Sequence, residues 1–372
     1  MPHEVSDQSP RPVYLDGAAA MPLLPEAEAA AREALSRFAD PDAGHGPGRA
    51  AQAVLEHARV AIAGSIGADP DELILTTSGS HANALAVLGM VPPGPGRIVV
   101  TTLEHRSVSE AASASGLEVV EVGCDDAGAI DMDRFAAEVA TSGTLMASVQ
   151  HGSSDIGTMQ SVAECARLAR AAGVLFHTDA CQTLPHLPLD ARALGVDLLS
   201  ISSRKAYGPA GAGALFARRG LSPDPLLRGG PRRSGGVAGL AALAGMAAAL
   251  TTLRPRVPDL AGNLWTLSQR LRHGLAPAGR VLGHATWRVP HIVAVAVADV
   301  DRETLFMTLE DRGIQAGEAA TAVLARAGLA SPGEVVVRFG LTVDTTADDV
   351  ERVLQVLPDA LARLRGMGGP GG

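Results

Sequence analysis

Lys205 is the only lysine among the 31 Lys and Arg residues of this 372-residue chain. Arginine serves in most surface and phosphate contacts, but its guanidinium stays protonated and cannot condense with an aldehyde. A chain biased so strongly toward arginine keeps lysine where an amine nucleophile is needed, so Lys205 is the candidate covalent residue. A solvated surface charge is the bland alternative for any single lysine. Ser202 and Lys205 also fit the S-x-x-K of serine penicillin-binding enzymes, but that chemistry needs a second lysine in K-T-G, and the chain has none.

The residues around Lys205 favour an aldehyde cofactor. VLFHTDACQT (174 to 183) sets Asp179 at the C-terminal end of an expected strand, where open α/β sheets bind ligands. Lys205 follows the next expected strand, VDLLSIS. An acid that keeps a pyridine nitrogen protonated and a lysine that condenses with the aldehyde are the pair that pyridoxal 5'-phosphate (PLP) requires. TTSGSHANALAV adds a small-residue turn, Ser78-Gly79-Ser80-His81, ahead of a helix. Such a turn suits a 5'-phosphate, although many strand-to-helix loops look like it.

Positioning these residues calls for an alternating α/β scaffold. Apolar, β-branched runs at 72–76, 97–103, 117–123, 144–150, 174–180, 196–202 and 213–219 read as strands, with amphipathic stretches such as 162–173 between them. That alternation predicts a mainly parallel central sheet with helices on both faces, the α/β layout of a PLP-binding domain over 13–250. A smaller α+β domain is expected over 251–366, with strands at 291–300 and 334–341. Its last helix is expected at 346–365, opened by Thr346 and an acidic first turn. Residues 1–12 are expected to pack nearby and 367–372 to form a disordered tail.

Composition narrows the function classes. The formal charge of −9 argues against a nucleic-acid surface, which needs clustered Lys and Arg. The longest apolar run, 238 to 250, falls short of the roughly 20 residues that cross a bilayer. The N-terminus shows no secretory apolar segment. Cys124, Cys165 and Cys181 have no metal-ligand spacing and are odd in number, which fits a reducing cytoplasm. No metal, membrane or nucleic-acid partner is expected.

With these residues in view, the chain resembles the class V aminotransferase-fold PLP enzymes (fold type I), and most closely the NifS/IscS-type cysteine desulfurases. The resemblance runs from VYLDGAAAMPLLPEA (13 to 27) through HGPGRAAQAVLEHAR (45 to 59), ADPDELILTTSGSHAN (68 to 83), TLEHRSV (102 to 108), HGSSDIGTMQ (151 to 160), GVLFHTDACQT (173 to 183) and GVDLLSISSRKAYGPAGAGALFARRG (195 to 220) to VVRFGLTVDTTADDV (336 to 350). It implies that Lys205 forms the aldimine and that Asp179 faces the pyridine nitrogen. Gln182 bonds the phenolic oxygen and His105 stacks on the ring. Ser80, His81, Ser202 and Arg204 cradle the phosphate, Ser154 stands near the phenolic oxygen, and Arg338 pairs with the substrate carboxylate. A homodimer is also implied.

The departures are specific. Arg204 stands where the family commonly has His, and Ser153-Ser154-Asp155 replaces Asn-Asn-Glu. His81 aligns with a phosphate-binding threonine, and Gly236 with a threonine that reaches the partner subunit's phosphate. In GIQAGEAATAVLARAG (313 to 328), Ala320 occupies the place of the sulfur-accepting cysteine. The resemblance therefore implies a PLP enzyme acting on an amino acid through an external aldimine, first of all a C–S lyase that eliminates sulfur from a cysteine derivative. The other readings are a class V aminotransferase, epimerase or decarboxylase, a true desulfurase with its thiol relocated to Cys181, and a non-catalytic protein of the same fold.

Overall fold

The computed structural model describes residues 11–92, 94–227 and 239–367. The expectations for residues 1–10, for Gly236 and for the tail beyond 367 lie outside them. In chain order the elements begin with β1 (Val13–Leu15), α1 (Pro25–Leu35), α2 (Gly46–Gly64), β2 (Leu73–Thr76), α3 (Gly79–Leu88), β3 (Arg97–Thr101), α4 (Arg106–Ala114) and β4 (Glu118–Val122). They continue with α5 (Met132–Val139), β5 (Thr144–Ser148), α6 (Val162–Ala171), β6 (Leu175–Asp179), α7 (Ala191–Leu194), β7 (Leu198–Ser202), β8 (Gly213–Ala217) and α8 (Leu240–Leu253). The chain ends with α9 (Val257–Leu275), β9 (Arg280–Leu282), β10 (Ile292–Val297), α10 (Arg302–Asp311), β11 (Ile314–Glu318), α11 (Thr321–Arg326), β12 (Val335–Gly340) and α12 (Ala347–Met367).

Seven strands form the first sheet in the order β2-β8-β7-β6-β5-β3-β4. Neighbours from β7 to β4 pair in parallel, while β8 runs antiparallel to β2 and β7. β2 and β8 are buried along their whole length, the pattern that helices on both faces of a sheet impose. The order of strand addition reverses between β3 and β5, which opens a crevice at their carboxyl ends. His105 follows β3, Gln150 follows β5, Asp179 ends β6 and Lys205 follows β7, so the candidate residues share one edge of the sheet.

The second sheet has the order β1-β11-β12-β10-β9. Leu271 and Leu275 of α9 and Val353, Leu357 and Leu361 of α12 bury against its strands. Thr346 and Asp349 cap α12 reciprocally: Asp349 N donates to Thr346 Oγ1 and Thr346 N to Asp349 Oδ2. Arg11 reaches the same Asp349 at 3.3 Å. Three strands were not expected. β1 and β9 are three residues each, and β11, sequence IQAGE, has no β-branched run. Pairing with distant segments makes them strands, not local preference. Residues 13–15, counted from sequence with the first domain, pair in parallel with β11 in the second sheet. Among the described residues no helix is long and apolar enough to cross a membrane.

Candidate active site

A cavity of about 260 Å³ opens at the carboxyl edge of the first sheet. Lys205, Asp179, Gln182, His105, Ser80, Ser154, Ser202 and Arg204 all line it. Two sequence candidates lie outside the lining. The ring of His81 turns back so that Nδ1 meets Thr77 Oγ1 at 3.1 Å, because its position in the first turn of α3 faces the preceding loop. Arg338 stands behind the wall and donates to the carbonyl of Ser154 at 3.1 Å.

Lys205 ends a single 3-10 turn after β7. Its Nζ donates to the carbonyls of Ala18 and Ala19, both at 2.5 Å. Burial, reinforced by Arg204, lowers its ammonium to about 8, so a usable fraction of free amine exists near neutrality. The next residues hold the turn rigid. Tyr207 is fully buried with φ of 59°, a left-handed conformation that costs a non-glycine residue about 1 to 3 kcal/mol. Its hydroxyl accepts from Val343 N at 3.0 Å, which ties the turn to the second sheet.

Asp179 is buried with both oxygens occupied. Asn83 Nδ2 donates to Oδ2 at 2.7 Å and Cys181 N to Oδ1 at 2.9 Å. At the other end of the cavity, α3 begins at Gly79, capped by Ser78, whose Oγ accepts from His81 N. The first-turn amides of a helix have no partner within it, and here they stand beside Ser78, Ser80, Ser202 and Arg204. Gly79 keeps this end open. A Cβ there would lie 2.7 Å from Cys181 Sγ and 3.0 Å from Ser202 Cβ.

His105 is exposed at the start of α4, its Nδ1 2.7 Å from Ser107 Oγ. Glu104, immediately before it, is buried and accepts from Gln150 N and Thr101 Oγ1. Burial pushes its carboxyl up to about 8, and its Oε1 clamps the His105 loop to the end of β5. Arg338 lies opposite Ala294 on β12 and also bonds Asp16 Oδ1 at 3.0 Å, with Asp155 3.8 Å away. Its Nε is buried without a partner among the described residues. Asn83, Glu104, Tyr207 and the alanine carbonyls were not singled out from sequence. Only Asn83 offered a hint, one turn along α3 from Gly79 on the helix that faces the cavity.

The aminotransferase class-V family description matches residues 13–353. This chain belongs to the class-V aminotransferase family. It is 32% identical over 379 residues to a cysteine desulfurase from Cereibacter sphaeroides, covering 95% of this chain and 97% of that one. It is 29% identical to a cysteine desulfurase IscS from Dictyoglomus turgidum, covering 95% and 96%. A NifS-like protein from Rickettsia africae superposes with a TM-score of 0.89 at 20% identity, covering 95% of this chain and all of that one. The apo structure of a cysteine desulfurase from Thermococcus onnurineus gives 0.85 at 23% identity, with 95% of each chain covered. At these identities the two structures establish the PLP-transferase fold.

The class-V enzyme is PLP-dependent, and its cavity fits the cofactor. It offers one amine, one ionisable acid with anchored oxygens, and an open helix start flanked by three serines and an arginine. Asn83 Oδ1 is buried on the same wall without a partner among the described residues, and the floor would be blocked by any side chain at Gly79.

Proposed function

We propose that this class-V enzyme is a C–S lyase that eliminates sulfur from a cysteine derivative and uses no enzyme persulfide. The observation that carries the reading is the loop at 319–321. Ala320 directly precedes α11 as its N-cap residue, and its N–H is held by Asp155 Oδ1 at 2.8 Å. The stretch 313–328 contains no cysteine, so this loop presents no thiol to accept sulfur. Cys181 lines the cavity, yet its Sγ lies against Ser200 O and burial beside Asp179 raises its thiol well above the usual range. A protonated, enclosed thiol is a poor nucleophile.

When bound, PLP draws electrons from the α-carbon of an amino acid joined to it. The chain's residues do the rest. Arg338 binds the α-carboxylate through its planar fork, releasing Asp16. Lys205 takes the α-proton at Nζ, its lowered ammonium being matched to neutral pH. Asp179 would keep the pyridine nitrogen protonated, and Gln182 and Ser154 would hold the phenolic oxygen. Ser80, Ser202, Arg204 and the start of α3 would hold the phosphate, and His105 would cover the ring. The overall reaction balances as a cysteine thioether or disulfide plus water giving pyruvate, ammonia and the released thiol or persulfide. The reading includes a cytoplasmic homodimer with its three cysteines as free thiols.

The test adds cysteine, cystine and alanine to the wild-type protein and to Lys205→Ala while visible absorption, sulfide, pyruvate and keto acids are followed. Pyruvate with a sulfur product supports the lyase. Alanine from cysteine makes the enzyme a desulfurase, and a keto acid with amino-group transfer makes it an aminotransferase. Absence of a visible cofactor band in the wild type removes all three.

A further inference from the structure

Behind Gln182 lie two buried imidazoles that the proposed chemistry does not use. His186 and His291 are fully buried and stack with centroids 3.7 Å apart and planes 18° from parallel. His291 stands directly before β10, and its carbonyl accepts from Leu341 N, so it belongs to the second sheet. Its Nε2 reaches across to Gln182 Oε1 on the first sheet's edge at 3.3 Å. On its other side, Gln182 Nε2 donates to Ala18 O at 2.9 Å.

The donor inventory settles the orientation. An amide carries two N–H donors on one end and only acceptor lone pairs on the other. Because Gln182 Nε2 meets a carbonyl, Oε1 is the atom facing His291, and His291 Nε2 must carry the hydrogen. One Gln182 N–H is spent on Ala18, and the other remains for an acceptor in the cavity. We infer that His291 is a positioning residue: by donating to Gln182 Oε1 it locks the amide with its nitrogen toward the cofactor, so that this point of the wall accepts only a hydrogen-bond acceptor such as the phenolate oxygen. This rests on the reading of Gln182 as that oxygen's partner.

The ring's surroundings keep it in the single-donor form. His186, Lys205, Arg288 and Arg338 all face it with positive or protonatable groups, and burial holds its imidazolium well below the usual range. His186 stacks on His291 and lies by the Gln182 backbone carbonyl, and among the described residues its ring nitrogens meet no side-chain partner. The lock also joins the two sheets, since His291 directly precedes β10 of the second sheet and Gln182 follows β6 of the first.

The experiment reads the pH midpoint of the visible band in the PLP-loaded protein, with no substrate present. A donor to the phenolate stabilises its charge and weakens its hold on the imine proton, so losing the donor moves the midpoint upward. His291→Leu should raise it by about one pH unit, a tenfold change in proton affinity. His291→Gln, whose amide nitrogen matches the reach of Nε2 and retains an N–H donor, should stay near wild type and guards against a folding failure. His186→Phe, which keeps a stacked ring, should leave the midpoint unmoved. The inference is overturned if His291→Leu matches wild type while Gln182→Leu shifts, or if His186→Phe shifts as far as His291→Leu. If Gln182→Leu itself leaves the midpoint unmoved, the reading of Gln182 fails and takes the inference with it.

Discussion

Cofactor capture by Lys205 should follow the ionisation that the fold imposes on it. Only the free amine condenses with an aldehyde, and burial with Arg204 lowers the ammonium to about 8 from an ordinary 10.5. At pH 7 about one amine in eleven is then free, against about one in three thousand for an ordinary lysine. Capture at pH 7 should thus run about 300 times faster than the same site would allow with an unshifted lysine. The rate should climb about tenfold from pH 6 to 7 and level off above about pH 8. Mixing cofactor-free protein with PLP and following the visible band gives the rate, and borohydride reduction with peptide mapping assigns it to Lys205. Lys205→Ala leaves the N-terminal amine as the remaining primary amine, so its rate gives the background to subtract. A rate still climbing through pH 10 would refute the reasoning. The same shift has a stability consequence with a definite sign. Because the folded pKa is the lower one, the buried ammonium opposes folding below about pH 8 by about 3 kcal/mol. Between about 8 and 10.5 the unfolded chain binds more protons, so stability rises with pH across that window. Lys205→Met should therefore stabilise the cofactor-free protein by about 3 kcal/mol at pH 7 in denaturant unfolding, with the gain shrinking as pH rises through that window.

Other substitutions probe separate parts of the site. Gly79→Val, whose Cβ would meet Cys181 Sγ at 2.7 Å, should weaken PLP binding by about 5- to 150-fold in a spectrophotometric titration, since overpacking costs about 1 to 3 kcal/mol. Cys181→Ala should leave product formation within about twofold of wild type, because a thiol protonated at neutral pH contributes no nucleophile. Arg338→Ala should raise KM for an amino-acid substrate by about 10- to 100-fold through the lost charge-assisted pair. Asp16→Asn should lower the same KM by removing the carboxylate that already occupies the fork at 3.0 Å; a raised KM would mean that Asp16 orients Arg338 instead of competing for it.

Much of the fold was legible because strands buried on both faces are mostly apolar, as LILT and GALFA are. β1, β9 and β11 were not legible, since two are too short to show a period and IQAGE takes its shape from β1 and β12. In the site, Lys205 and Asp179 stood out as residue types with few other uses at strand ends. Asn83 and His291 act through donors that many asparagines and histidines possess, and Ala18 and Ala19 act through backbone carbonyls, which leave no mark in a sequence. Their roles emerge only where the second sheet and the segment 16–20 close over Lys205. His81 shows the converse: its place in the small-residue turn was legible, but the direction of its ring was not.

The central claim, elimination without an enzyme-bound sulfur, is tested most directly by intact-protein mass spectrometry during turnover of cystine, with pyruvate counted in the same sample. The account predicts a protein mass free of added sulfur while pyruvate accumulates in step with the persulfide product. Sulfur carried on the protein, with alanine formed in place of pyruvate, would contradict it.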